Sequence, residues 1–148
     1  MRLTLLWGSI LLLVSACQQR EWTTRQTFDD GCWYETDTMR TTWVNAAPGN
    51  CQVRTGLTLG QDYLYQNIWL KLILISPAGQ VQDTLIGMTV LDPAGNWLLP
   101  RSLGGTYTAS WVPVSLPLTE TGTYQVRLTQ YMRDSSLCEV VEAGLQIQ

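Results

Sequence analysis

From residue 52 onwards apolar side chains return at every second position, a period that only an extended chain can turn to one face. Val53, Thr55, Leu57 and Leu59 share one face of the first clear run, with Gln52, Arg54, Gly56 and Thr58 on the other. Residues Asn67 to Ile75 are apolar on both faces, which predicts a central strand covered on both sides. A strand over Val81 to Leu91 follows the turn Pro77-Ala78-Gly79, and Tyr107 to Leu116 is broken by Pro113, as suits an edge or a bulge. Tyr124, Val126, Leu128 and Met132 oppose Gln125, Arg127, Thr129 and Arg133. Val141, Ala143, Leu145 and Ile147 are expected to face inward against Glu142, Gly144, Gln146 and Gln148. A weaker first strand spans Thr38 to Val44. Ala47-Pro48-Gly49-Asn50, Asp92-Pro93-Ala94-Gly95-Asn96, Gly104-Gly105 and Thr121-Gly122 are turn signals between the runs. No stretch after the first 16 residues keeps a helical period for three turns. The expected fold is all-β, an antiparallel, jelly-roll-like β-sandwich of about seven or eight strands over residues 37–148.

At 148 residues the chain has room for one ordinary domain. Hydrophobic residues at 45% against 14% charged argue against disorder. A net charge of −3 with a single lysine argues against nucleic-acid binding. Histidine is absent, which removes Ser-His-Asp triads, Cys-His nucleophiles and histidine-ligated metal sites. There is no G-x-S-x-G elbow, phosphate loop or dinucleotide fingerprint. Asp29-Asp30 is an adjacent acid pair that precedes the expected domain, where burial would do little to tune it. No enzyme activity, catalytic residue, metal or cofactor is expected.

The N-terminus carries location. Met1-Arg2 is a short positive region and Leu3 to Val14 an apolar one, twelve residues where a spanning helix needs about 20. Residues 1–16 therefore read as a signal peptide. Val14-Ser15-Ala16-Cys17 resembles the bacterial lipobox, in which the cysteine thiol is acylated and becomes the mature N-terminus. Small residues before Cys17 let a peptidase reach the backbone beside the modified thiol. Each buried methylene adds about 0.8 kcal/mol, so two or three acyl chains such as palmitate anchor stably to a bilayer. Gln18 stands where an inner-membrane retention signal would place aspartate, which points to the outer membrane with the domain facing the periplasm. Residues 17–36 are expected to be the lipidated cysteine and a tether.

Cys17 is committed to lipid, which leaves Cys32, Cys51 and Cys138, an odd number for an oxidising compartment. In a jelly-roll order the last strand runs antiparallel to the first. The start of the last strand, near Cys138, then lies near the end of the first, and so near Cys51. Cys51–Cys138 is the expected disulfide and Cys32–Cys51 the next choice, with three reduced, buried thiols as the remaining alternative.

An ordered set of short motifs adds a resemblance. It comprises Tyr63-Leu64-Tyr65-Gln66-Asn67-Ile68-Trp69-Leu70, Asp83-Thr84-Leu85, Asp92-Pro93-Ala94-Gly95-Asn96-Trp97-Leu98 with Gly104, Gly122-Thr123-Tyr124, Gln130-Tyr131-Met132-Arg133-Asp134 with Leu137, and Gly144-Leu145. Their order, downstream of a lipobox, resembles the GldH family of gliding-motility lipoproteins from Bacteroidota. Two positions depart from the pattern: Leu99-Pro100 and Cys138-Glu139 stand where the family tends to carry glycine. The resemblance implies a non-catalytic role in the gliding and type IX secretion machinery, as an assembly or scaffold component binding other envelope proteins. The family carries no established catalytic residues.

Tyr63, Tyr65, Trp69 and Trp97 could stack sugars, which keeps a peptidoglycan- or polysaccharide-binding module as the alternative function. Core packing is the simpler reading of the first three, because large aromatics dominate cores by area. Trp97 follows a Gly-Asn turn and is the expected exposed member. Trp97, Arg133 and Asp134 form the candidate interaction surface, with Arg133-Asp134 otherwise a local ion pair or loop cap. Asp83 is expected to lean inward and bond turn backbone.

Overall fold

The computed structural model describes residues 24–110 and 114–148. The signal peptide, Cys17 and Pro113 lie outside that range. Eleven strands follow one another among the described residues: β1 (Thr24–Thr27), β2 (Cys32–Tyr34), β3 (Met39–Asn45), β4 (Gly49–Leu59), β5 (Asn67–Ile75), β6 (Val81–Thr89), β7 (Tyr107–Ser110), β8 (Val114–Leu118), β9 (Gly122–Gln130), β10 (Ser136–Cys138) and β11 (Val140–Ile147). All pairings are antiparallel. One sheet runs β1-β11-β4, with β7 and β8 in tandem along the far side of β4; the other runs β3-β9-β5-β6; β2 and β10 form a separate ribbon. The expected sandwich is therefore present.

The alternation works as the physical argument requires. Val53, Leu57 and Leu59 of β4 and Ala143 and Leu145 of β11 point inward from one sheet. Ile68, Leu70, Leu72 and Leu74 of β5 and Val126 and Leu128 of β9 belong to the same core from the other. β5 is central in its sheet, between β9 and β6, but it is covered on one face only: Asn67 and Trp69 on the other face are exposed, which corrects the expectation of cover on both sides. The β5–β6 hairpin closes through Pro77-Ala78-Gly79, where Gly79 takes φ +84°, a conformation that costs a residue with a Cβ.

Several expectations about the fold are corrected. The strand count is eleven rather than seven or eight, because the run over Tyr107–Leu116 divides into β7 and β8 and three short strands escape a periodicity reading. The tether does not extend to residue 36. β1 pairs with β11 from Thr24↔Leu145 to Thr27↔Glu142, Phe28 is buried, and Trp33 is fully enclosed. At the start of β11, Val140 rather than Val141 faces the core. A register shift between Val140 and Glu142 inserts one residue and turns Val141 outward.

The disulfide is Cys32–Cys138, not Cys51–Cys138. The first and last strands do pair. The first strand, however, is β1, and the chain leaving it reaches Cys32, which sits directly opposite Cys138 in the β2–β10 ribbon. Cys51 is a free, buried thiol in β4, opposite Leu116 of β8. Burial raises its pKa, so it stays protonated and behaves as a small core residue.

Candidate functional site

Along β5, Asn67, Trp69 and Lys71 alternate onto the outer face of the four-stranded sheet while Ile68, Leu70 and Leu72 fill the core. In register beside them on β6 stand Gly87, opposite Trp69, and Leu85, opposite Lys71. On the other flank the chain leaving β9 places Tyr131 beside Trp69, its N–H donating to the Trp69 carbonyl at 2.8 Å. Trp69 is 42% exposed, Leu85 50% and Tyr131 53%, so three large apolar side chains stand together in solvent. They line a cleft of about 690 Å³ together with Tyr65, Asn67, Met132, Arg133 and Asp134.

The pose of Trp69 depends on its neighbour. A Cβ placed on Gly87 would lie 2.5–2.8 Å from three carbons of the indole, so the ring is laid across the glycine. Lys71 holds Asp83 at 2.9 Å and lies 5.6 Å from the centre of the Tyr131 ring. The Asp83 hydrogen bond, then its charge, raise the Lys71 pKa and keep the ammonium charged. Asp83 is thus exposed and paired, which corrects the expectation of an inward acid.

The loop bearing Met132, Arg133 and Asp134 is fixed from beneath by Gln130, which is 3% exposed. Its side-chain amide donates to the Asp134 carbonyl at 2.9 Å and its carbonyl oxygen accepts the Met132 N–H at 2.7 Å. The Met132 sulfur in turn accepts the Trp69 N–H at 3.3 Å, and the Asp134 carboxylate accepts a hydrogen bond from the Tyr65 hydroxyl. That bond is the main reason the Tyr65 phenol titrates above its ordinary value. Gln130→Leu strands the two loop groups and is expected to cost about 1–3 kcal/mol. Hydrogen exchange at the Met132 amide should quicken well beyond the sheet average in this variant. Unchanged protection there would show that Gln130 does not hold the loop.

Arg133 and Asp134, expected at an interaction surface, do line this cleft. Trp97 does not. It is partly buried, stacked on Tyr107 at 3.8 Å with planes 7° apart and tilted against Tyr63 at 6.5 Å. Tyr63 is buried and its hydroxyl donates to the Asn67 carbonyl at 3.0 Å. Trp69, read from sequence as a packing residue, is the exposed one. The signal lies in the strand itself: on β5 Trp69 shares its face with Asn67 and Lys71, polar residues that place that face in solvent.

The turn before Trp97 is built on Asp92. Its carboxylate accepts the N–H groups of Ala94 at 2.9 Å and Asn96 at 2.8 Å, and the Asn96 side-chain amide at 2.9 Å. The Asn96 side chain first, then the Asn96 N–H, hold the Asp92 pKa below its ordinary value of 3.8. A depressed folded-state pKa means this support is complete above the unfolded value and is lost as pH falls through the folded one. Acidification below the ordinary aspartate range should therefore loosen the 92–96 turn, seen as faster amide exchange at Asn96. Asp92→Asn should already be loosened at neutral pH and lose that acid response.

Among the described residues no three of the cysteine, aspartate and glutamate side chains gather where a metal ion could be held. The face offers aromatic and aliphatic contact area with charged groups at its margin. A family model described as GldH lipoprotein matches residues 21–147. No curated protein and no solved structure matches the chain.

Proposed function

The chain belongs to the GldH lipoprotein family, and from that membership we propose that it acts without catalysis in the gliding-motility and type IX secretion machinery, as an assembly or scaffold component that binds envelope proteins. As a member of a lipoprotein family it is membrane-associated through lipid. In this reading Cys17 is the acylated residue, the membrane is the outer one and the sandwich faces the periplasm. The seven residue steps from Cys17 to Thr24 span at most about 25 Å, which keeps the sandwich close to the bilayer in this reading.

One observation supports the binding role above the others: Trp69, Leu85 and Tyr131 are exposed together on one rigid sheet face. Contiguous exposed apolar surface is costly in water and marks interaction sites more often than scattered apolar residues do. Leu85 and Met132 in the same cleft suit apolar side chains of a protein better than a sugar ring. The alternative, a glycan-binding module, draws on the exposed Trp69 indole laid across Gly87 beside Asn67.

The test is affinity recovery of the tagged lipoprotein from crosslinked cells, with partners identified by mass spectrometry. Recovery of gliding or secretion components that is lost in Trp69→Ala/Tyr131→Ala, at unchanged protein level, is the expected result. Bait alone, together with binding to purified sacculi, would overturn the assembly reading in favour of a glycan. Cys17→Ser should separately move the protein out of the carbonate-washed membrane fraction. Retention there would refute the anchor at Cys17.

A further inference from the structure

We propose that the outer edge of β6 is a strand-pairing surface for a second copy of this chain, joining two four-stranded sheets into one continuous antiparallel sheet. The inference goes beyond the envelope-protein reading and shares Leu85 and Trp69 with the face that supports it.

Hydrogen-bond parity decides which way the backbone groups of β6 point. In the β5–β6 pair, Ser76 N–H donates to the Gln80 carbonyl at 2.8 Å and Val90 N–H to the Gln66 carbonyl at 2.7 Å. The register between them is unbroken from Ile75↔Val81 to Asn67↔Thr89. Residues facing each other across an antiparallel pair alternate between bonded and non-bonded sites. Gln82, Thr84, Ile86 and Met88 therefore bond to β5, and the backbone N–H and C=O of Val81, Asp83, Leu85, Gly87 and Thr89 point away from it. β6 ends its sheet, and among the described residues no strand pairs with that side.

Edge strands are ordinarily blunted by lysine, proline, a bulge or shortness. β1 is four residues long, and the β7–β8 edge is divided between two short strands. β3 carries the exposed Arg40. β6 has none of these devices: it is nine residues long, regular in register, and free of lysine, arginine and proline. Its one charge, Asp83, is already matched by Lys71.

The strand is also complementary to itself. A two-fold axis through Leu85 sets Leu85 against Leu85 of the second copy, Asp83 against Gly87, and Val81 against Thr89. No like charges oppose each other, and the acid meets the one residue without a side chain. Trp69 lies across that glycine, so each indole is brought beside the Lys71–Asp83 pair of the other copy, an ammonium–aromatic arrangement of the kind Lys71 already makes with Tyr131. The exposed Leu85 side chains meet at the axis, with a Trp69 on either side.

The experiment uses the full lipoprotein in native membranes, with a photo-crosslinking amino acid at position 85 and two epitope tags on separately expressed copies. A crosslinked species of twice the monomer mass that carries both tags is expected, with none from the same probe at Val44 on the opposite edge. Leu85→Lys, read with the probe at Thr89, faces lysine with lysine across the axis and should lower the self-crosslink about fivefold. Asp83→Pro removes one outward N–H without touching the β5 ladder and should act in the same direction. Thermal unfolding of each variant reports that the fold is kept. A probe at position 85 that captures only another protein, or nothing, overturns the proposal, as does an undiminished self-crosslink in both folded variants.

Discussion

Trp33→Ala is expected to destabilise the domain by about 3–5 kcal/mol, the cost of truncating a large enclosed aromatic. Trp33 is 0% exposed, stacks on Phe28 with ring centres 5.2 Å apart, and donates its indole N–H to the Asp37 carbonyl at 2.7 Å. Alanine removes the ring and leaves that carbonyl without its partner. Native domains hold about 5–15 kcal/mol in total, so the variant should fall to low steady-state abundance in the cell. Urea unfolding of the purified protein gives the value. A loss below about 1 kcal/mol would mean that the 24–36 segment is peripheral, as a tether would be.

Loss of the Cys32–Cys138 disulfide is the second large effect. The two cysteines are 106 residues apart in sequence, and a crosslink over such a span restricts the unfolded chain strongly. The chain-entropy treatment gives about 4–5 kcal/mol for a loop of this size, and typical measured values are about 2–4 kcal/mol. Cys138→Ser should therefore lower stability by about 2–4 kcal/mol. Added reductant should do the same to the wild type and nothing further to the variant. Cys51→Ala, which removes one buried atom and leaves the disulfide intact, should cost only about 1 kcal/mol. If Cys51→Ala were the more damaging change, the pairing would be wrong. The Trp33 and Cys138 effects will not add, because both residues belong to the β2–β10 ribbon, where Leu137 pairs with Trp33 and Cys138 with Cys32.

The strands illegible in the sequence are the shortest ones. β1, β2 and β10 span four, three and three residues, too few for alternation to stand out from chance. Each is a strand only because a longer or distant strand supplies its hydrogen bonds. β1 pairs with β11 and β2 with β10 across more than a hundred residues of chain. The disulfide follows the same logic: the first strand is β1, and the chain leaving it brings Cys32 rather than Cys51 to Cys138. Trp97 and Trp69 exchanged roles for a related reason. A turn residue looks exposed until Tyr107 arrives to stack on it, and a strand tryptophan looks buried until its sheet proves open on that side.

What the amino-acid sequence determined alone was local or periodic. The two-residue alternation specifies strands, the Pro77–Gly79 and Asp92–Asn96 segments specify turns, and the ordered motifs from Tyr63 to Leu145 specify the family. Backbone geometry and the patterning of one segment suffice for these. Where the domain begins, which cysteine meets Cys138, which tryptophan faces solvent and which strand edge is left unpaired were decided by tertiary structure. Each of those depends on two segments far apart in sequence closing on each other, and the free energy of that closure is spread over the whole sandwich core rather than written in either segment.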